Sequence, residues 1–159
     1  MRRHVHRPPL KLRPGHRRWL YLCSVLLLVS GAGWLVAHYF LHGRNDFPGA
    51  PHPSEVWWLR LHGAAAMGFF ITFGMVLNHH VRAGWRQRVN RSSGVVNLAV
   101  IGVLALSAYG LYYIVDDGAR TYISVTHWIV GLIAAAALPV HVILGRRQSA
   151  RREHARTAD

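Results

Sequence analysis

Apolar residues gather into four blocks, residues 19–40, 56–81, 94–115 and 122–144, separated by short stretches rich in Arg, Pro, Gly and Asp. Each block matches the roughly 20 residues of helix that cross a hydrocarbon layer of about 30 Å. Backbone groups in such a layer have no water to bond, and a helix satisfies them within its own segment. The pattern predicts an all-α integral membrane protein. Short connections and the absence of an internal repeat predict that its four spans form an up-down-up-down four-helix bundle. The first block exceeds the apolar core of a signal peptide and lacks a small-residue cleavage site, so it is expected to be retained.

The flanks complete the domain plan. Residues 1–17 combine Pro8, Pro9, Pro14 and Gly15 with positive charge and predict a disordered basic cytoplasmic arm. The transmembrane domain is expected over residues 18–147, and residues 148–159 form a basic tail. Pro and Gly between residues 41 and 55 predict an exposed outer loop, and Asp116, Asp117 and Arg120 a tight turn before the fourth span.

Composition agrees with the blocks: 52% of the 159 residues are hydrophobic, which is high for a soluble domain. The net charge of +13 invites a nucleic-acid reading, but the positions of the cations give it another meaning. Seven of the 19 Lys and Arg precede the first block, four (Arg82, Arg86, Arg88, Arg91) lie between the second and third, and five follow the fourth. Only Arg44, Arg60 and Arg120 fall on the opposite side. This asymmetry across short flanks is the positive-inside pattern and predicts that both termini are cytoplasmic, with the basic segments against anionic lipid and no nucleic-acid partner. The single Cys23 excludes an intrachain disulfide, a paired-thiol metal site and a CxxCH attachment of haem.

Histidine carries the candidate chemistry. An ionisable side chain at membrane depth is costly to bury and generally faces the protein interior, which makes it a functional candidate. His127 and His141 lie fourteen residues apart in the fourth block, on one face at the seven-residue repeat and about 21 Å apart in depth. The second block runs in the same direction and holds His62, nearly level with His127, and the neighbours His79 and His80 at its other end. The separation from His62 is three or four residues longer than fourteen, roughly 5 Å, which tilt and a kink at Pro139 would absorb. His80 and His79 both remain candidates for the inner level, and His38, at the outer end of the first block, rivals His62.

Two stacked pairs of neutral imidazoles between apolar helices are what two bis-histidine haems require. His62, His127, His80 and His141 are the candidate axial ligands of the iron. Gly131, one turn beyond His127, and the small residues after His62 leave room for a flat macrocycle. Arg60 on the outer side, with Arg82 and Arg86 on the inner side, are placed to meet propionates. Two such groups at two depths would form a transmembrane path for electrons.

The stretches LHGAAAMGFFITFGMVLNHHVRAGWR and THWIVGLIAAAALPVHVILGRR resemble the second and fourth helices of small bacterial di-haem b-type cytochromes. These include cytochrome b561-like proteins, the cytochrome b subunits of formate dehydrogenases and hydrogenases, and a related uncharacterised family of four-helix membrane proteins. The resemblance spans roughly residues 19–147, and the H-x13-H spacing of His127 and His141 is its most specific element. It implies two non-covalent haem b groups, a bacterial inner membrane, and electron exchange with quinone or a redox partner subunit. The chain departs from the formate-dehydrogenase pattern, in which the first helix supplies a ligand, because the first block holds only His38.

Other classes fit less well. A membrane scaffold would need no level pairs of histidines, and a metal-ion transporter would bind near the midplane with broken helices or repeats. All six acidic residues lie outside the blocks or at their ends, and no nucleophile or carboxylate pair is recognisable. The chain is therefore expected to be an electron-transfer subunit of an oxidoreductase and not an enzyme on its own. The charge asymmetry makes a direct prediction: alkaline phosphatase is active when fused after Asp46 or Gly118 and inactive when fused after Arg156, and activity at Arg156 would overturn the orientation.

Overall fold

The computed structural model describes residues 14–41, 51–87 and 90–157. It is all-helical, with α1 at Pro14–Phe40, α2 at Ser54–Val76, a π-helical segment at Leu77–Val81, α3 at Arg82–Gln87, α4 at Arg91–Tyr113 and α5 at Asp117–Thr157. Among the described residues, α1, α2, α4 and α5 are long and apolar enough to cross a membrane.

The helices differ from the expected spans mainly at their ends. The expected arm overlaps α1, which begins at Pro14, a residue suited to the first helical turn because it has no N–H to leave unpaired; residues 1–13 lie outside the described residues. The basic stretch between the second and third spans is partly helical, as α3. The expected tail continues α5 to Thr157, since its Arg, Gln and Ala residues are good helix formers once a helix is under way. Pro139 lies inside the unbroken α5, so the irregularity in the helices that carry histidines falls instead on α2, in the π-helical segment that holds His80. The turn before α5 is closed by Asp116, whose carboxylate accepts the Ala119 N–H at 2.7 Å.

Packing is organised as two hairpins. In the first, Cys23 meets Gly68, Gly31 meets His62, Gly33 meets Trp58 and His38 meets Glu55, an antiparallel register of α1 on α2. In the second, Ser93 meets His141, Ser107 meets His127 and Gly110 meets Ile123, which sets α4 antiparallel to α5. Between the hairpins, α1 approaches α5, whereas α2 and α5 do not pack closely along their lengths. Every buried side chain among the described residues belongs to the first hairpin: Leu20, Cys23, Ser30, Ala37, Glu55, Ala65, Thr72 and Val76. Hydroxyls at membrane depth are satisfied locally, as where Ser24 donates to the Leu20 carbonyl and Thr72 to that of Gly68. Lipid contact follows from the four spanning helices, whose large apolar side chains, such as Ile71, Leu106 and Leu132, are exposed.

Close approach at Gly33 gives the first hairpin its tightest point. A Cβ there would lie 2.6 Å from the Trp58 indole, inside any tolerable contact. We expect Gly33→Ala to destabilise the detergent-solubilised protein by about 1–3 kcal/mol through overpacking. Gly102→Ala, whose Cβ meets nothing within 4 Å, should leave the thermal midpoint unchanged. Equal midpoints for the two variants would refute this account.

Candidate functional site

The histidines of α2 and α5 meet at two levels. The His62 and His127 rings lie with centroids 6.2 Å apart and planes at 73°. The His80 and His141 rings lie 6.3 Å apart with planes at 80°. The inner candidate brought to His141 is thus His80; the side chain of His79 lies outside the described residues. An i→i+5 turn accommodates an extra residue per turn relative to the α-helix. The π-helical segment at Leu77–Val81 therefore changes both the rotation and the rise between His62 and His80.

Each of three rings is held from the neighbouring helix of its own hairpin. Ser30 Oγ of α1 lies 3.0 Å from His62 Nδ1. Ser107 Oγ of α4 lies 2.8 Å from His127 Nδ1. Ser93 Oγ, also of α4, lies 2.9 Å from His141 Nδ1, and the Asn90 amide donates to the His141 carbonyl at 2.9 Å. Asn90 occupies the left-handed region at φ 52° and makes no side-chain cap for α4; its amide is spent on α5. Glycines form the floor under two rings: Cβ atoms at Gly31 and Gly94 would sit 3.4 Å from His62 Cε1 and 3.9 Å from His141 Cε1.

His38 belongs to neither pair. Its Nδ1 lies 3.1 Å from a carboxylate oxygen of the buried Glu55, and its ring stacks on Trp34 at 4.6 Å. The other Glu55 oxygen accepts the His52 N–H at 3.2 Å, so this carboxylate ties the end of α1 to the start of α2. Of the candidate propionate partners, Arg60 stacks over Trp57 at 4.9 Å, while Arg82 and Arg86 lie on α3, next to the π-helical segment. The Cβ positions of Gly131 and Gly63 are open.

Sequence reading missed the role of the serines. Ser30 and Ser107 lie inside apolar blocks, and Ser93 and Asn90 in the short stretch between the second and third, with nothing in the local sequence to single them out. A hydroxyl at the depth of a histidine on an adjacent span is the signal that would have found them.

The donor sets decide which metal groups the residues suit. Among the described residues no three or more His, Cys, Asp or Glu side chains gather as metal ligands. A protein-bound Zn2+ takes four ligands, or three and water, which an imidazole pair does not provide. Haem needs only two axial ligands. With metal–imidazole bonds of about 2.0–2.1 Å and each ring centre about 1.1 Å behind its nitrogen, trans imidazoles place their centres roughly 6.3 Å apart. Both ring pairs have that spacing. With Nδ1 of His62, His127 and His141 engaged, Nε2 is the nitrogen that would face a metal, and no described side chain hydrogen-bonds to Nε2 of these three. The residues therefore fit bis-histidine haem.

At the His141 end an open surface pocket of about 580 Å3 is lined by Asn90, Arg91, Ser92, Ser93, Gln148 and Arg151 together with Leu144. It shares Asn90 and Ser93 with the support of His141. The chain matches no protein-family model, and no curated protein or solved structure matches it either.

Removing the carboxylate that joins α1 to α2 should weaken the first hairpin. Glu55→Ala is expected to cost about 1–3 kcal/mol by leaving His52 N–H and His38 without their acceptor. Thermal unfolding in detergent measures it, and an unchanged midpoint would contradict the assignment.

Proposed function

We propose that this chain is a membrane di-haem b cytochrome, an electron-transfer subunit that carries electrons across a bacterial inner membrane between quinone or quinol and a partner redox protein. The spans run up, down, up and down, with both termini in the cytoplasm, as the basic flanks favour. The observation that carries the reading is the pairing of histidines at two levels, each with the ring spacing of trans axial ligands.

His62 and His127 hold one group near the outer face, and His80 and His141 hold the other near the cytoplasmic face. Haem b, when bound, supplies reversible one-electron chemistry at its iron. The chain supplies four neutral nitrogen ligands, apolar walls that exclude water, and Arg60, Arg82 and Arg86 near the two levels as counter-charges for propionates. The pocket beside His141 suits a quinone headgroup: Ser92, Gln148 and Arg151 offer hydrogen-bond donors to its oxygens, and Leu144 an apolar wall. A scaffold would have no need for imidazoles spaced in this way.

An optical spectrum and haem count on detergent-purified protein test the reading. We expect two haems per chain. His141→Ala should retain only the outer haem, His62→Ala only the inner, and His38→Ala both. A colourless preparation from haem-replete cells would overturn the proposal. Gln148→Leu should raise the KM for a soluble quinol several-fold with both haems in place, and an unchanged KM would remove the pocket from consideration.

A further inference from the structure

Ser30 and Ser107, at membrane depth, each contact a histidine and at least one backbone carbonyl, and a hydroxyl has one proton to give. Ser30 Oγ lies 2.6 Å from the Leu26 carbonyl oxygen and Ser107 Oγ 3.1 Å from that of Leu104, acceptors that have no proton of their own. Ser93 Oγ is in short contact with the amide oxygen of Asn90, another pure acceptor. A helix serine gives its proton readily to the carbonyl three or four residues back, and with that proton committed the hydroxyl oxygen is left to accept from the histidine. At His141 a second donor competes: Asn90 Nδ2 carries two N–H groups and lies 2.9 Å from the His141 carbonyl and 3.2 Å from His141 Nδ1. The proton count therefore favours Nδ1–H at His62 and His127.

We propose that Ser30 and Ser107 are positioning residues: each accepts the Nδ1–H of one histidine, fixes that tautomer and ring orientation, and so presents Nε2 as an unprotonated ligand. This rests on the haem reading for its functional meaning, though the hydrogen-bond assignment stands apart from it. A division of labour between helices follows. The histidines stand on α2, its π-helical continuation and α5, and the hydroxyls that set two of them stand on α1 and α4, the two long helices that supply no histidine to either pair. Such hydrogen bonds raise ligand basicity and favour the oxidised metal. Losing one should raise the midpoint potential of the haem concerned.

The test compares Ser107→Ala with Ser107→Thr in the full-length protein. Ser107→Ala is expected to raise the midpoint potential of the outer haem alone, alter its low-spin electron paramagnetic resonance signal, and speed its loss to apomyoglobin on the order of 10–100-fold. Ser107→Thr, which keeps the hydroxyl, should restore all three. Ser30→Ala should move the outer haem in the same way. An unchanged potential and signal in Ser107→Ala, with both haems bound, would overturn the proposal. The second measurement is 15N resonance of the histidine rings in haem-free protein. Protonated Nδ1 at His127 supports the assignment, and protonated Nε2 there refutes it. A wild-type protein that binds no haem would sink the functional reading instead, and the 15N spectrum alone would then decide the hydrogen bonds.

Discussion

A polar group inside a hydrocarbon layer has only the chain itself to bond to, and an unanswered one costs several kcal/mol. The arrangement of this protein follows from meeting that constraint at each histidine. His62, His127 and His141 are each answered at Nδ1 by a hydroxyl from the adjacent helix of the same hairpin, and each ring faces a second imidazole across the gap between hairpins. The first contact fixes a ring within its hairpin. The second brings the two hairpins face to face at two depths.

The constraint also explains why α2 is irregular. Fourteen residues separate the two histidines of α5, but eighteen separate His62 from His80. Two straight helices would place the second pair at different depths and rotations. A π-helical segment of five residues lies where the mismatch accumulates and includes His80 itself, consistent with the tendency of such turns to occur at functional positions. Pro139, the residue most disruptive of a helix, sits within an unbroken α5.

Much of the fold was legible in the sequence, because a bilayer imposes a length and a composition on each span. Counting depth from Val56 and Tyr122 brought His62 level with His127, and the structure sets their rings 6.2 Å apart. The inner level was ambiguous, since His79 and His80 are adjacent, and the irregular turn that bears on the choice leaves no periodic trace. The extension of α5 to Thr157 was hidden because its last turns are basic, and hydropathy does not report a helix in water. The hydroxyls were hidden for another reason: Ser30 in SGAG and Ser107 among Leu and Ala read as small packing residues. Their meaning appears only when the neighbouring helix brings a histidine alongside.

The uneven burial of the two hairpins has a consequence for biogenesis. Each histidine pair takes one member from before Val81 and the other from after Tyr122, so neither pair exists until nearly the whole domain has been synthesised. The first hairpin holds every buried side chain described, along with the indole at Gly33 and the carboxylate between its ends. It emerges first, with the His62 ring already held by Ser30. The second hairpin, in which no described side chain is buried, arrives as the piece that docks and brings His127 and His141 to their partners.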